Sequence, residues 1–157
     1  MRRPWNMPNC PVYSLATRSN EIGNMNICTY VIPISMQPKL YALAIYNGTK
    51  TLENMLQTET AVLQLLNASQ FSLVNHLGKK SGFQFDKSGY LKKKNLLMDW
   101  QGFSVLKDAA ALVLLKKLSC QQTGDHVLFT FEAIRYQSLS ENILTVEIVR
   151  EKKIISA

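Results

Sequence analysis

The chain has 157 residues, 46% of them apolar and 18% charged, the length of one domain with an ordinary globular composition. No unbroken apolar run, Ala109 to Leu115 included, exceeds seven residues, far short of the ~20 that a membrane helix needs. The net charge of +7 would suit a polyanion, but the lysines sit in short clusters such as Lys79-Lys80, Lys92-Lys93-Lys94 and Lys116-Lys117, with no nucleic-acid motif beside them, so nucleic acid is not the expected partner.

In chain order, MRRPWNMPNCP carries two arginines and no apolar stretch, so it is not a secretory signal and residues 1–11 read as an extended arm. Cys10, Cys28 and Cys120 are odd in number and widely spaced, which fits a reduced cytoplasmic compartment and argues against a metal site. Val12 to Thr17 is a strand, and Ser19 to Gly23 turns it into a hairpin. Asn26 to Ile34, rich in β-branched and aromatic residues, reads as the next strand, and Leu40 to Tyr46 as a short strand buried on both faces. Between those two, Ser35-Met36-Gln37-Pro38-Lys39 marks a corner, because proline cannot donate to a ladder.

Asn47-Gly48-Thr49-Lys50-Thr51 then precedes Leu52 to Leu56, which has helical spacing and stops near Gln57-Thr58. A loop of this kind at a helix start offers unpaired backbone amides, hydroxyl donors and a lysine to one point. It is an anion site, and phosphate is the anion expected. Glu59 to Leu66 fits either period, and its length and position favour a strand. Ser69 is a candidate N-cap for a helix carrying Phe71, Val74 and Leu77 on one face and ending at Gly78. Lys79 to Asn95 is polar and reads as a loop. Ala109 to Leu118 has helical propensity. Gln121 to Asp125 is a turn, His126 to Ala133 the clearest alternating strand, and Ile143 to Val149 a last strand. Many short strands and few helices predict a single, all-β-dominated β-barrel domain with two short helices.

The order of these pieces resembles the flavin reductase-like family, whose members fold as an FMN-binding split barrel. Ser35 to Leu40 takes the place of the family's S-x-D-P-P-L turn, and Asn47 to Thr51 that of R-S-x-R-T. Ala61 to Leu66 resembles its FVVNVL strand, Gly102 to Leu106 its G-x-P-x-L segment, and Gly124-Asp125-His126-Val127-Leu128-Phe129 its G-D-H-x-L-F strand start. The chain departs at Gln37 and Lys39 in the turn, at Gly48 in place of Ser, and at Ile27 where many members have Thr. Within the resemblance, Ala109 to Leu118 belongs to a barrel strand rather than a helix.

That resemblance implies non-covalent FMN and, near the interface of a homodimer, hydride transfer from NAD(P)H to the flavin. Asn26, Ile27 and Cys28 would line the ring and Thr29 the ribityl or phosphate end. Asn47, Gly48, Thr49, Lys50 and Thr51 would hold the phosphate, and His126 would stand where nicotinamide stacks. No sequence neighbour lowers the Cys28 pKa, so an inert packed thiol is expected. Asp125 is expected to close its turn through the local backbone, and His76 to lie on the surface. Trp5 and Trp100 could cover either a ring or a dimer seam. The alternative function is a flavin-binding electron carrier or interaction protein without NAD(P)H oxidation.

Overall fold

The computed structural model describes residues 1–156. Its strands are β1 (Tyr13–Ser19), β2 (Ile22–Met25), β3 (Val31–Ser35), β4 (Leu40–Tyr46), β5 (Thr60–Leu65), β6 (Leu97–Trp100), β7 (Phe103–Leu106), β8 (Ala111–Thr123) and β9 (His126–Ser138). The helices are α1 (Lys50–Gln57), α2 (Leu73–Gly78), α3 (Lys87–Lys93) and α4 (Val146–Glu151). Seven strands form one antiparallel sheet in the order β2-β1-β5-β8-β9-β4-β3, and β6 and β7 make a separate ribbon.

The two edges of that sheet, β2 and β3, are consecutive in the chain. If the sheet were flat, seven strands would set its edges about 29 Å apart. The chain from Met25 to Val31 reaches at most about 22 Å. The sheet must therefore curl until its edges approach, and the connecting segment Asn26–Tyr30 bridges what remains open. Cys28 exchanges backbone hydrogen bonds with Tyr13 of β1 (2.8 and 2.9 Å), and Ala44 of β4 donates to the Tyr30 carbonyl (3.0 Å). The result is a barrel with a slit, a split barrel.

Each face of the curled sheet buries its own core. Leu15, Leu43, Ile45, Leu63, Leu115, Phe129 and Phe131 fill the barrel interior with Met55 of α1. Ala16, Val62, Leu66 and Leu112 point the other way, against α2, α3, α4 and the β6–β7 ribbon. Along β8, Leu112, Val113, Leu114 and Leu115 go alternately to the two cores. A strand covered on both faces reads as an unbroken apolar run, which is why propensity alone suggested a helix there.

Several expectations need correction. Asn26–Tyr30 does not continue β3, because Asn26 Oδ1 accepts from the Leu15 amide (2.8 Å) and pulls the segment out of a ladder. Ser69 caps nothing: Asn67 opens the 3-10 turn Ala68–Gln70, accepting from Ser69 N (3.0 Å), while Gln70 Oε1 accepts from Asn67 N (2.9 Å). Part of the supposed loop 79–95 is α3, capped by Asp86 and anchored by fully buried Leu91. The supposed last strand is largely α4, capped by Thr145 and held by buried Val149. Four short α-helices are therefore present among the described residues rather than two. The N-terminal arm also folds, with a 3-10 turn at Pro4–Asn6, and lies along α4, where Asn9 Oδ1 accepts from Glu147 N and Arg150 donates to the Asn6 carbonyl.

Candidate functional site

A cavity of about 530 Å³ opens at the slit, walled by Asn24, Asn26–Tyr30, Ala44–Thr51, Leu77–Gly82, Lys87 and His126. All nine residues expected to bind a cofactor, Asn26 to Thr29 and Asn47 to Thr51, border it, as does His126.

The bridging segment forms one wall. The Asn26 carboxamide oxygen is used by β1, as above. Ile27 packs partly into the outer core and lies against the end of α2, where a side chain on Gly78 would meet it at 3.1 Å. Cys28 is buried with its thiol pushed up to about 12 by desolvation, so it stays protonated at neutral pH.

The loop Asn47–Thr51 forms the second wall. Gly48 has φ +77°, a left-handed conformation that disfavours the Ser of the family pattern. Thr49 is the N-cap of α1: its hydroxyl accepts from Leu52 N (3.2 Å) and donates to the Tyr46 carbonyl (2.9 Å). The cap satisfies Leu52 N, while the earlier amides of α1 have no intrahelical acceptors. Lys50 Nζ is 3.0 Å from Glu53 Oε2 and 5.5 Å from the Phe83 ring centre. Thr51 is only 2% exposed, and its hydroxyl accepts from Asn24 Nδ2 (3.1 Å). Beside it, Asn54 Nδ2 donates to Thr17 Oγ1 (3.0 Å), so a buried polar chain fastens α1 to β1 and β2.

The third wall escaped sequence reasoning. Leu77–Gly82 closes over the start of α1, and a Cβ on Gly82 would come within 2.4 Å of Asn24 Oδ1 and 2.9 Å of Lys50 Cβ. Only glycine allows that approach. Lys87, at the start of α3, is 6% exposed and donates to the Leu77 carbonyl (2.7 Å); burial pushes its pKa down to about 8. In sequence the Lys79–Asn95 stretch reads as a polar loop, and a lysine is rarely buried. Its Ser81-Gly82 pair, polar and conformationally free, was the available signal. Other lysines also have partners: Lys79 donates to the Ile154 carbonyl, Lys80 lies 4.2 Å from the Phe85 ring centre, and Lys117 donates to the Met55 carbonyl (2.8 Å).

His126 stands at the mouth. Its Nδ1 is 2.6 Å from Asp125 Oδ1, and its ring lies 5.2 Å from that of Tyr30 and 5.3 Å from that of Tyr46. The Asp125 carboxylate thus orients the imidazole instead of closing the turn, which Gln122 does by donating to the Gly124 and His126 carbonyls. His76 is half-buried: it stacks on Tyr90 at 4.3 Å with its Nδ1 buried and unpartnered. Trp5 is 71% exposed, and Trp100 packs against the outer core. Among the described residues no three His, Cys, Asp or Glu side chains converge to hold a metal, and no helix is long and apolar enough to cross a membrane.

Compared with known proteins, residues 7–146 match the model of the flavin reductase like domain. The chain belongs to that family. No curated protein sequence matches it. Among solved structures, this flavin reductase like domain is similar to the FMN-binding protein from Thermus thermophilus, with a TM-score of 0.77 and 21% identity over 88% of this chain and 75% of the other. It is similar also to the flavin reductase PheA2, with 0.73 and 21% over 86% and 83%. A third, the Streptomyces globisporus C-1027 NADH:FAD oxidoreductase SgcE6 in complex with NAD and FAD fragments, gives 0.73 and 17% over 86% and 78%. At such identities the likeness is one of fold.

Proposed function

We propose that the cavity at the slit binds FMN non-covalently and that the protein is an NAD(P)H-dependent flavin reductase, a single domain acting as a cytoplasmic homodimer. One observation carries this reading. The cavity has a cationic, amide-rich end at Gly48–Thr51, Ser81 and Lys87, and an aromatic end at Tyr30, Tyr46 and His126. Such polarity suits a ligand that is planar and apolar at one end and phosphorylated at the other.

In this reading the ammonium groups of Lys50 and Lys87 and the amides of Gly48, Thr49 and Lys50 bind the phosphate. Asn26, Ile27 and Cys28 wall the ring, and Thr29 serves the chain between. Thr51 keeps its hydroxyl proton available for donation, since its oxygen only accepts from Asn24. Bound flavin supplies the hydride chemistry, and the protein supplies position and electrostatics. His126, oriented by Asp125, marks the side from which nicotinamide approaches.

The outer surface supports the dimer. By strand register Tyr46 and His126 share the outward face of β4 and β9 with Ala42, Ala44, Leu128 and Thr130. Tyr30, Ile32 and Ile34 beside them are 63%, 59% and 51% exposed. A partner would cover this apolar surface and shield the cavity mouth. The free thiols Cys10, Cys28 and Cys120 agree with a reducing compartment.

The test is the visible spectrum of the purified protein with and without added FMN, followed by steady-state NAD(P)H oxidation. A shifted flavin spectrum with no oxidation would leave a flavin carrier. No spectral change on adding FMN would overturn the assignment of the cavity.

A further inference from the structure

The N-terminal arm takes no part in the slit cavity, yet it is fixed to the body of the protein. The Cys10 carbonyl accepts from the Val146 amide (2.9 Å), Asn9 Oδ1 from the Glu147 amide (3.0 Å), and the Asn6 carbonyl from Arg150 (2.9 Å). The arm therefore runs antiparallel to α4, and the 3-10 turn at Pro4–Asn6 carries Arg2 and Arg3 towards the end of the helix where Lys152 and Lys153 stand. All four of these cations are exposed. Among the described residues none of them, nor Arg150 beneath the arm, has a carboxylate within ion-pair distance. Glu147 and Glu151 are the acids of that helix, so the patch keeps a net positive charge. Interleaved with the cations, Trp5 is 71% exposed and Met7 52%.

We propose that this patch docks the protein on the surface of an anionic lipid bilayer, with Arg2, Arg3, Lys152 and Lys153 at the headgroups and Trp5 and Met7 in the interface beneath them. The inference is independent of the flavin reading above. Each Lys or Arg held close to an anionic surface strengthens attachment by about fivefold. Charge alone would suit nucleic acid or an acidic protein as well. The two apolar side chains decide for lipid. The phosphates of a duplex would leave them in water, whereas a bilayer is charged at its surface and apolar just below it, and tryptophan settles at that boundary. Attachment of this kind grows with the apolar area buried and with the attraction to anionic headgroups, and the patch supplies both. Among the described residues no helix is long and apolar enough to cross a membrane, so the protein would lie on the surface through this patch.

The experiment sediments the full chain with vesicles of phosphatidylglycerol mixed into phosphatidylcholine, and with phosphatidylcholine alone, while tryptophan emission is recorded. Retention by the anionic vesicles alone is expected, weakening in high salt. It should bring a blue shift that Trp5→Phe removes, because Trp100 is already packed against the outer core. Arg2→Ala, Arg3→Ala and Lys153→Ala should each weaken retention about fivefold, and Trp5→Ala about tenfold. These side chains are exposed, so each variant should unfold in urea as the parent does. No retention by anionic vesicles, equal retention by neutral ones, retention unaltered by these substitutions, or bound protein without the blue shift would each overturn the proposal. Tighter binding to duplex DNA or to polyglutamate than to the vesicles would give the patch to another polyanion and overturn it equally.

Discussion

Lys87→Met tests the site at the residue where fold and ligand make opposite demands. Burial lowers the Lys87 pKa from 10.5 to about 8, which corresponds to a penalty of about 3 kcal/mol on the charged form. The folded chain gives up this proton at a lower pH than the unfolded chain. Between pH 8 and 10.5 the unfolded state therefore binds more protons, and stability rises with pH. The penalty is fully present below pH 8 and gone above 10.5. Methionine never carries it, but leaves the Leu77 carbonyl without its donor (2.7 Å in the parent), at about 1–3 kcal/mol.

The two effects roughly cancel at pH 7, so Lys87→Met should unfold in urea close to the parent there. At pH 10 only about 0.8 kcal/mol of the penalty is left, so the lost hydrogen bond dominates and the variant should be weaker by up to about 2 kcal/mol. Other lysines and tyrosines titrate in both proteins, and taking the difference removes them. FMN adds a second readout. Its phosphate favours the charged amine, so parent affinity should fall about fivefold from pH 8 to 9, and the variant should bind weakly without that slope. Parallel stability curves for parent and variant from pH 7 to 10 would refute the buried ammonium. An unchanged FMN affinity would refute its part in the site.

FMN should bind about 10- to 150-fold tighter than riboflavin, as expected for a charge-assisted phosphate contact, and an equilibrium titration decides it. Lys50→Ala should barely alter stability, since its half-exposed pair with Glu53 contributes only about 0.3–0.5 kcal/mol, while FMN affinity falls and the difference narrows in high salt. Thr51→Val should cost about 1–3 kcal/mol in a denaturant melt, because it strands the buried Asn24 amide. Light scattering at micromolar concentration should give twice the monomer mass of 17.8 kDa, and Ile32→Lys should shift it towards the monomer.

The corner at Ser35–Lys39, the strand Leu40–Tyr46 and the strand from His126 were legible because alternation, apolar runs and a proline corner are local signals, although Leu40–Tyr46 is buried on the barrel face alone rather than on both. The loop Asn47–Thr51 was legible as a helix start for the same reason, and Thr49 does cap α1. What could not be read depends on partners far away in sequence. Asn26 leaves its strand for the Leu15 amide, and Lys87 is buried because the Leu77 carbonyl and the folded segment beside it receive its ammonium. Composition says nothing of either contact. α4 was misread because Ile143 to Val149 is apolar in both periods, and the Thr145 cap that decides between them is a single residue.

The short tether between the sheet edges makes the cavity a property of the finished fold. Its walls come from three stretches, near residues 24–30, 44–51 and 77–87, that meet only after the edges have been drawn together. An unfolded chain has no partial version of this site to offer, so a ligand would bind the native state alone. At a free concentration of 100 times Kd such a ligand adds about 2.7 kcal/mol to stability. For a chain of this size that is a rise in Tm of roughly 5–11 °C. A melting curve would therefore rank riboflavin, FMN and FAD by affinity before any electron acceptor is known.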